Sequence, residues 1–183
     1  MEKNVYNGLQ DPATQTELAV LALYAQAISH PYMRQVQGPG TEQVNMLELG
    51  PLHFGIQEHM EKIIEDPGLL LPPYGSYQSG AMDGKPWNSP EVVDAIYQLS
   101  PSLPHLKSVL VAFFEGALVT WQRFTAEFQG GLVDQTTAQE KEQAWMPPTN
   151  DVNEGALGAL QTYLQKKTKD HHAPIQCSCY VQV

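Results

Sequence analysis

The sequence predicts an all-α protein, an irregular bundle of about five or six helices joined by long loops rich in proline and glycine. Three observations carry that reading. Apolar residues recur at spacings of three and four in several segments. No run alternates apolar and polar residues for long enough to make a central strand. The Gly 14 and Pro 14 cluster in stretches that have no period of their own. At 183 residues, 42% of them apolar, the chain is long enough for one hydrophobic core and short for two. One helical domain is therefore expected over 1–170, with a long loop at 66–89 and a disordered tail at 171–183.

The first periodic segment, TQTELAVLALYAQAIS at 14–29, opens on a threonine cap signal and spaces Leu18, Leu21, Tyr24, Ala25 and Ile28 for a helix face. His30-Pro31 should end it, because the residue before a proline is pushed out of the α region. After a GPG loop at 38–40, Pro51 stands near a second helix start, and Leu52, Ile56, Met60 and Ile63 follow on one face until Asp66-Pro67-Gly68. The 66–89 stretch has only Leu69 to Leu71 and Trp87 as apolar anchors. Ser89-Pro90-Glu91 reads as a cap followed by proline at the first helical position, opening a helix with Val92, Val93, Ile96 and Leu99. Residues 104–128 form the longest periodic segment. Apolar residues cover most of its girth between Val109 and Val119, which predicts the central, most buried helix. Thr136 or Thr137 can cap a short polar helix reaching to Trp145. Pro147 and Pro148 then separate it from a last helical segment with a capping-box spacing, Asp151 to Glu154.

Charge narrows the function. Twenty acidic residues face ten basic ones, a formal net charge of -10. Nucleic acid is not expected as a partner of this chain alone, since phosphate binding rests on clustered lysine and arginine. The one basic cluster is Lys166, Lys167 and Lys169 with His171 and His172, read as a solvated helix end beside the C-terminal dipole. No apolar window suits a membrane span and no secretion signal opens the chain, so an intracellular setting, cytoplasmic or nuclear, is expected. Cys177 and Cys179 suit no disulfide framework.

Chemistry-bearing groups are sparse. His171, His172, Cys177 and Cys179 depart from the usual spacing of zinc ligands, so no metal is expected and no cofactor is implied. His53 and His59 are six apart, on poorly aligned faces, and are read as core or surface histidines. Glu115, alone in the long apolar helix, is read as solvent-facing. Gly155 and Gly158 are costly inside a helix, by about 0.8–1 kcal/mol each relative to alanine. Two explanations stand: a close helix contact on a small-residue face, or a site beside Glu154.

The segments LPHLKSVLVAFFEGALVTWQRFTAEF and WMPPTNDVNEGALGAL, with LALYAQAISHPYMRQVQGPG, NMLELGPLH and MDGKPW, resemble a repetitive family of transposon-derived proteins of fungal genomes. The pattern of TND followed by glutamate is also similar to the end of the catalytic domain in DDE-type transposases of the RNase H fold. That resemblance implies a helical insertion followed by the terminal helix, whose glutamate, here Glu154, is the third metal-binding carboxylate. The pattern departs in one respect: the sheet that should present the first two acids is missing. One carboxylate cannot hold two metal ions. The resemblance therefore implies a transposase-derived helical domain, non-catalytic as it stands, acting through a protein partner or a homo-oligomer. The alternative is an independent helical module that binds a protein or ligand through Tyr74, Tyr77 and Trp87 of the 66–89 loop.

Overall fold

A computed structural model describes residues 2–149 together with Gly155 and Gly158. The chain divides into two compact units, Met1–Pro148 and Thr149–Val183. The helices α1 to α8 belong to the first. The expected boundary at 170, the Asp151–Glu154 capping box and the tail lie outside the described residues.

The architecture is all-α, with no strand among the described residues. Helix α1 (Glu2–Leu9) leads into α2 (Pro12–Tyr24). The cap of α2 is Asp11, not a threonine: its carboxylate accepts the Thr14 amide at 2.9 Å, and Pro12 takes the first turn, where no amide is needed. Pro31 does not end this helix. The backbone widens into a π-turn over Ala25–Ser29 and continues as α3 (His30–Val36). Pro31 has no N–H to offer the Ala27 carbonyl four residues earlier, and that carbonyl accepts the Met82 amide at 2.9 Å. The loop thus supplies the hydrogen bond that the proline withholds.

The face of α2 that meets the core also differs from the expected one. Leu18 and Leu21 are 46% and 49% exposed, while Thr16, Ala19, Val20 and Leu23 are buried, followed by Ala27 and Ile28. The helix is apolar nearly all round, so its period does not choose the side that meets the core.

Helix α4 (Gly50–Glu65) buries His53, Ile56, Met60 and Ile63, with Leu52 half-buried beside them. The loop that follows is ordered: a 3-10 turn at Pro67–Leu69 and a one-turn helix α5 (Tyr77–Gly80) place Leu70, Leu71 and Ala81 in the interior. Trp87 packs on the core, and Tyr77 meets it edge to face at 6.5 Å. Helix α6 (Pro90–Leu99) has proline at its start as expected, but the Ser89 hydroxyl does not cap it; the Ser89 amide donates to the buried Gln26 side chain at 3.1 Å. Val93 and Ile96 are buried, while Val92 and Leu99 face outward.

Helix α7 (Leu106–Phe124) packs on both α2 and α4. It is not the most buried helix. Only Leu106, Leu110 and Phe114 are fully inside, and Val119 is 65% exposed. Thr137 caps α8 (Ala138–Gln143) in a reciprocal box with Glu140, and the helix ends two residues short of the expected Trp145.

A second small cluster of Val36, Leu49 and Phe128 lies beside the main core, with Tyr32, Leu52 and Val133 against it. Buried Asn45 fastens this end. Its amide donates to the Lys141 carbonyl at 2.8 Å, and its oxygen accepts the Leu47 and Met146 amides.

Candidate functional site

Two concave surfaces are built by the three main helices. The first opens where α4 begins and α7 ends, a cleft of about 270 Å³ lined by Pro51, His53, Phe54, Gln57, Thr125 and Phe128, among others. His53 sits in an aromatic cage. Its ring centroid lies 4.8 Å from Phe128, 5.6 Å from Trp121 and 6.0 Å from Tyr32. Nε2 is 3.5 Å from the Tyr32 hydroxyl, and Nδ1 is buried with no partner among the described residues. Burial among rings disfavours the charged imidazolium and holds the His53 pKa below its usual value of 6.5. Gln57 closes the floor by donating to the Thr125 hydroxyl at 2.8 Å, and that hydroxyl donates in turn to the Trp121 carbonyl. The result is a small, mostly apolar cleft with a neutral histidine in its wall. Its volume is below the range of about 300–1,000 Å³ common for ligand pockets.

The second surface is a groove of about 470 Å³ along α7. Its floor is Ala112, Gly116, Ala117 and Thr120, and its rim is Tyr24, Phe113 and Trp121. The rim is braced. The Trp121 indole donates to the Tyr24 hydroxyl at 3.0 Å, and Tyr24 meets Phe113 edge to face at 5.2 Å. An added Cβ at Gly116 would meet nothing within 4 Å, so the groove is open at its centre.

The candidate residues of the sequence do not converge on either surface. Glu154 lies outside the described residues, as do Lys166, Lys167, Lys169, His171, His172, Cys177 and Cys179. Gly155 and Gly158 are exposed, and an added Cβ at either would meet nothing within 4 Å. Glu115 is exposed on α7, as expected for a solvent-facing residue. Asp94 is exposed too. Asp83 accepts from two of the Arg34 guanidinium nitrogens, Nε and Nη2, at 2.9 and 3.0 Å. Among the described residues no three His, Cys, Asp or Glu side chains are grouped to hold a metal ion. His59 is half-buried, and its Nε2 lies 2.9 Å from the Gly80 carbonyl. Tyr74 is 83% exposed, whereas Tyr77 and Trp87 are occupied in anchoring the loop.

Sequence reasoning missed both surfaces. The available signal was the run Ala112, Gly116 and Thr120, three small residues at spacings of four within an otherwise bulky helix. Among the described residues no helix is long and apolar enough to cross a membrane. Compared with family models, curated proteins and solved structures, the chain has no significant match.

Proposed function

We propose that this protein is a helical association domain that works by binding another protein rather than by catalysis. The α7 groove carries that reading. It combines a floor of small side chains, a braced aromatic rim and an exposed Val119 beside it. A helix can lie against such a floor and bury apolar surface on the rim, as in helix-in-groove recognition. The transposase-derived origin rests on the sequence segments alone; within it Glu154 is a helix-start acid, not a member of a metal site.

The test is a photo-crosslinking residue at Thr120, in the groove, against one at Glu91, exposed on α6. In the cells that make the protein, the Thr120 probe should give a discrete crosslinked species and the Glu91 probe none. No product from Thr120, or equal products from both, would overturn the reading.

A second reading, a module for a small uncharged ligand, is favoured by His53 in the wall of the first cleft, whose buried Nδ1 has no partner among the described residues. A buried polar atom without a partner is uncommon and costly. A ligand-detected NMR screen of small heteroaromatic compounds, with a His53→Phe control, tests it: binding lost in the variant supports it, and equal binding to both proteins refutes it.

A further inference from the structure

We infer that the partner on α7 is a second copy of this chain, paired antiparallel across Val119. The inference rests on the association reading and names its occupant. Leu110 and Val119 are nine residues apart, which at about 100° per residue puts them on opposite sides of the helix. Leu110 is fully buried and Val119 is 65% exposed, so Val119 marks the middle of the outward face. Glu115 lies four residues before Val119 and Arg123 four residues after it, both exposed. Neither is in an ion pair among the described residues, where the one salt bridge joins Arg34 to Asp83.

That arrangement is self-complementary. A two-fold axis through Val119 sets each residue opposite the one equally far on the other side in the second copy. Glu115 of one copy then faces Arg123 of the other, twice. Each charge sits about 6 Å along the helix from the axis, so the two pairs flank an apolar centre. Ala112 and Gly116, on the same outward side, keep the helix thin enough for close approach. The wider charge pattern agrees. Two chains of net charge -10 repel one another over most of their surfaces. Helix α7 carries Lys107 and Arg123 against the single acid Glu115, which makes it a place where that repulsion is relieved.

The experiment is sedimentation equilibrium of the full chain with charge swaps at two exposed positions, which leave the core untouched. The wild-type chain should show a reversible dimer that weakens with salt. Glu115→Arg and Arg123→Glu should each raise the dimer dissociation constant by roughly tenfold or more, because each sets like charges opposite one another twice. The double swap should restore the wild-type value. A chain that stays monomeric at every concentration, or a double swap no better than either single one, would overturn the inference. Photo-crosslinking at Thr120 separates this failure from that of the association reading. A product heavier by one 20.3 kDa chain supports the second copy, and a product of another mass replaces it with a different partner while association stands.

Discussion

Arg34 and Asp83, 49 residues apart, join through two hydrogen bonds of 2.9 and 3.0 Å, and the adjacent Met82 amide caps the Ala27 carbonyl. The 66–89 loop is thereby fastened to the turn that Pro31 would otherwise leave a hydrogen bond short. Burial alone would raise the Asp83 carboxyl. The hydrogen bonds from Arg34 and from the Lys85 amide outweigh it, and the pKa falls below its usual 3.8.

Asp83→Ala is expected to cost about 1–3 kcal/mol, the range for hydrogen bonds to charged groups, and not more, because Arg34 remains partly solvated. The lowered carboxyl is charged in the fold at pH values where it would be half protonated unfolded. Its contribution is full above the unfolded pKa and is lost as pH falls through the folded one. Urea titrations should therefore show the gap between wild type and Asp83→Ala shrinking below about pH 4. A gap that stays constant down to about pH 2 would refute the linkage.

Buried His53 and half-buried His59 make an opposite demand at milder pH. Burial pushes His53 down. Burial also pushes His59 down, against the Gly80 carbonyl contact, and nearby Lys62 adds to the fall. Both are neutral in the fold, while the unfolded chain takes up protons near 6.5. Stability should be level above that value and decline as pH falls from it toward the lowered folded values. His53→Phe, which keeps a ring in the cage, should make the decline shallower over about pH 5 to 6.5. Denaturant midpoints measured across that window decide it, and an unchanged slope would show that His53 titrates normally.

Asn45 illustrates a residue whose weight is invisible in the sequence. It is 4% exposed, and its three hydrogen bonds reach positions as far as 101 residues away. Asn45→Ala leaves the Lys141 carbonyl and the Leu47 and Met146 amides without that partner, and should cost about 1–3 kcal/mol per group that stays buried. Faster amide exchange in α8 than in α4 would accompany it. Uniform exchange loss throughout would show that Asn45 has no local role.

Legibility followed how local the determining chemistry was. The Ile56, Met60 and Ile63 stripe depends on neighbours three or four residues away and can be read from the residues alone, as can a threonine cap for α8, although the sequence leaves Thr136 and Thr137 open and the structure selects Thr137 with Glu140. The buried side of α2 depends on what packs against it. In a helix apolar all round, Leu18 and Val20 look equally suited to the core. Pro31 reads as a terminator because the group that satisfies Ala27 is the amide of Met82, 51 residues further along the chain than Pro31. The α7 groove was hidden for a similar reason: small residues signal close packing or open space alike, and only the fold distinguishes them.

The face assignment is testable directly. Leu110→Ala and Phe114→Ala should each cost about 2–5 kcal/mol, since both side chains are fully enclosed. Leu18→Ala should change stability by under about 0.5 kcal/mol. Chemical denaturation of the three variants settles it, and a Leu18 loss as large as that at Leu110 would place the core on the other side of α2.

Glycines inside helices give the last prediction. Gly55 lies in α4 and Gly116 in α7, and at neither would an added Cβ meet anything within 4 Å. Neither has the positive φ that would forbid a side chain. Alanine at these positions removes conformational freedom from the unfolded chain without a clash in the folded one, and should stabilise by about 0.4–1 kcal/mol. For a chain of this size that raises Tm by roughly 1–4 °C. A glycine demanded by close packing behaves in the opposite way, because even one methyl forced into a tight contact is destabilising. Scanning calorimetry of the two variants separates the cases. A fall in Tm at Gly116 seen only at concentrations where the chain pairs places the methyl in the interface between copies, whereas a fall at every concentration with a rise at Gly55 would show that the α7 groove is already filled within one chain.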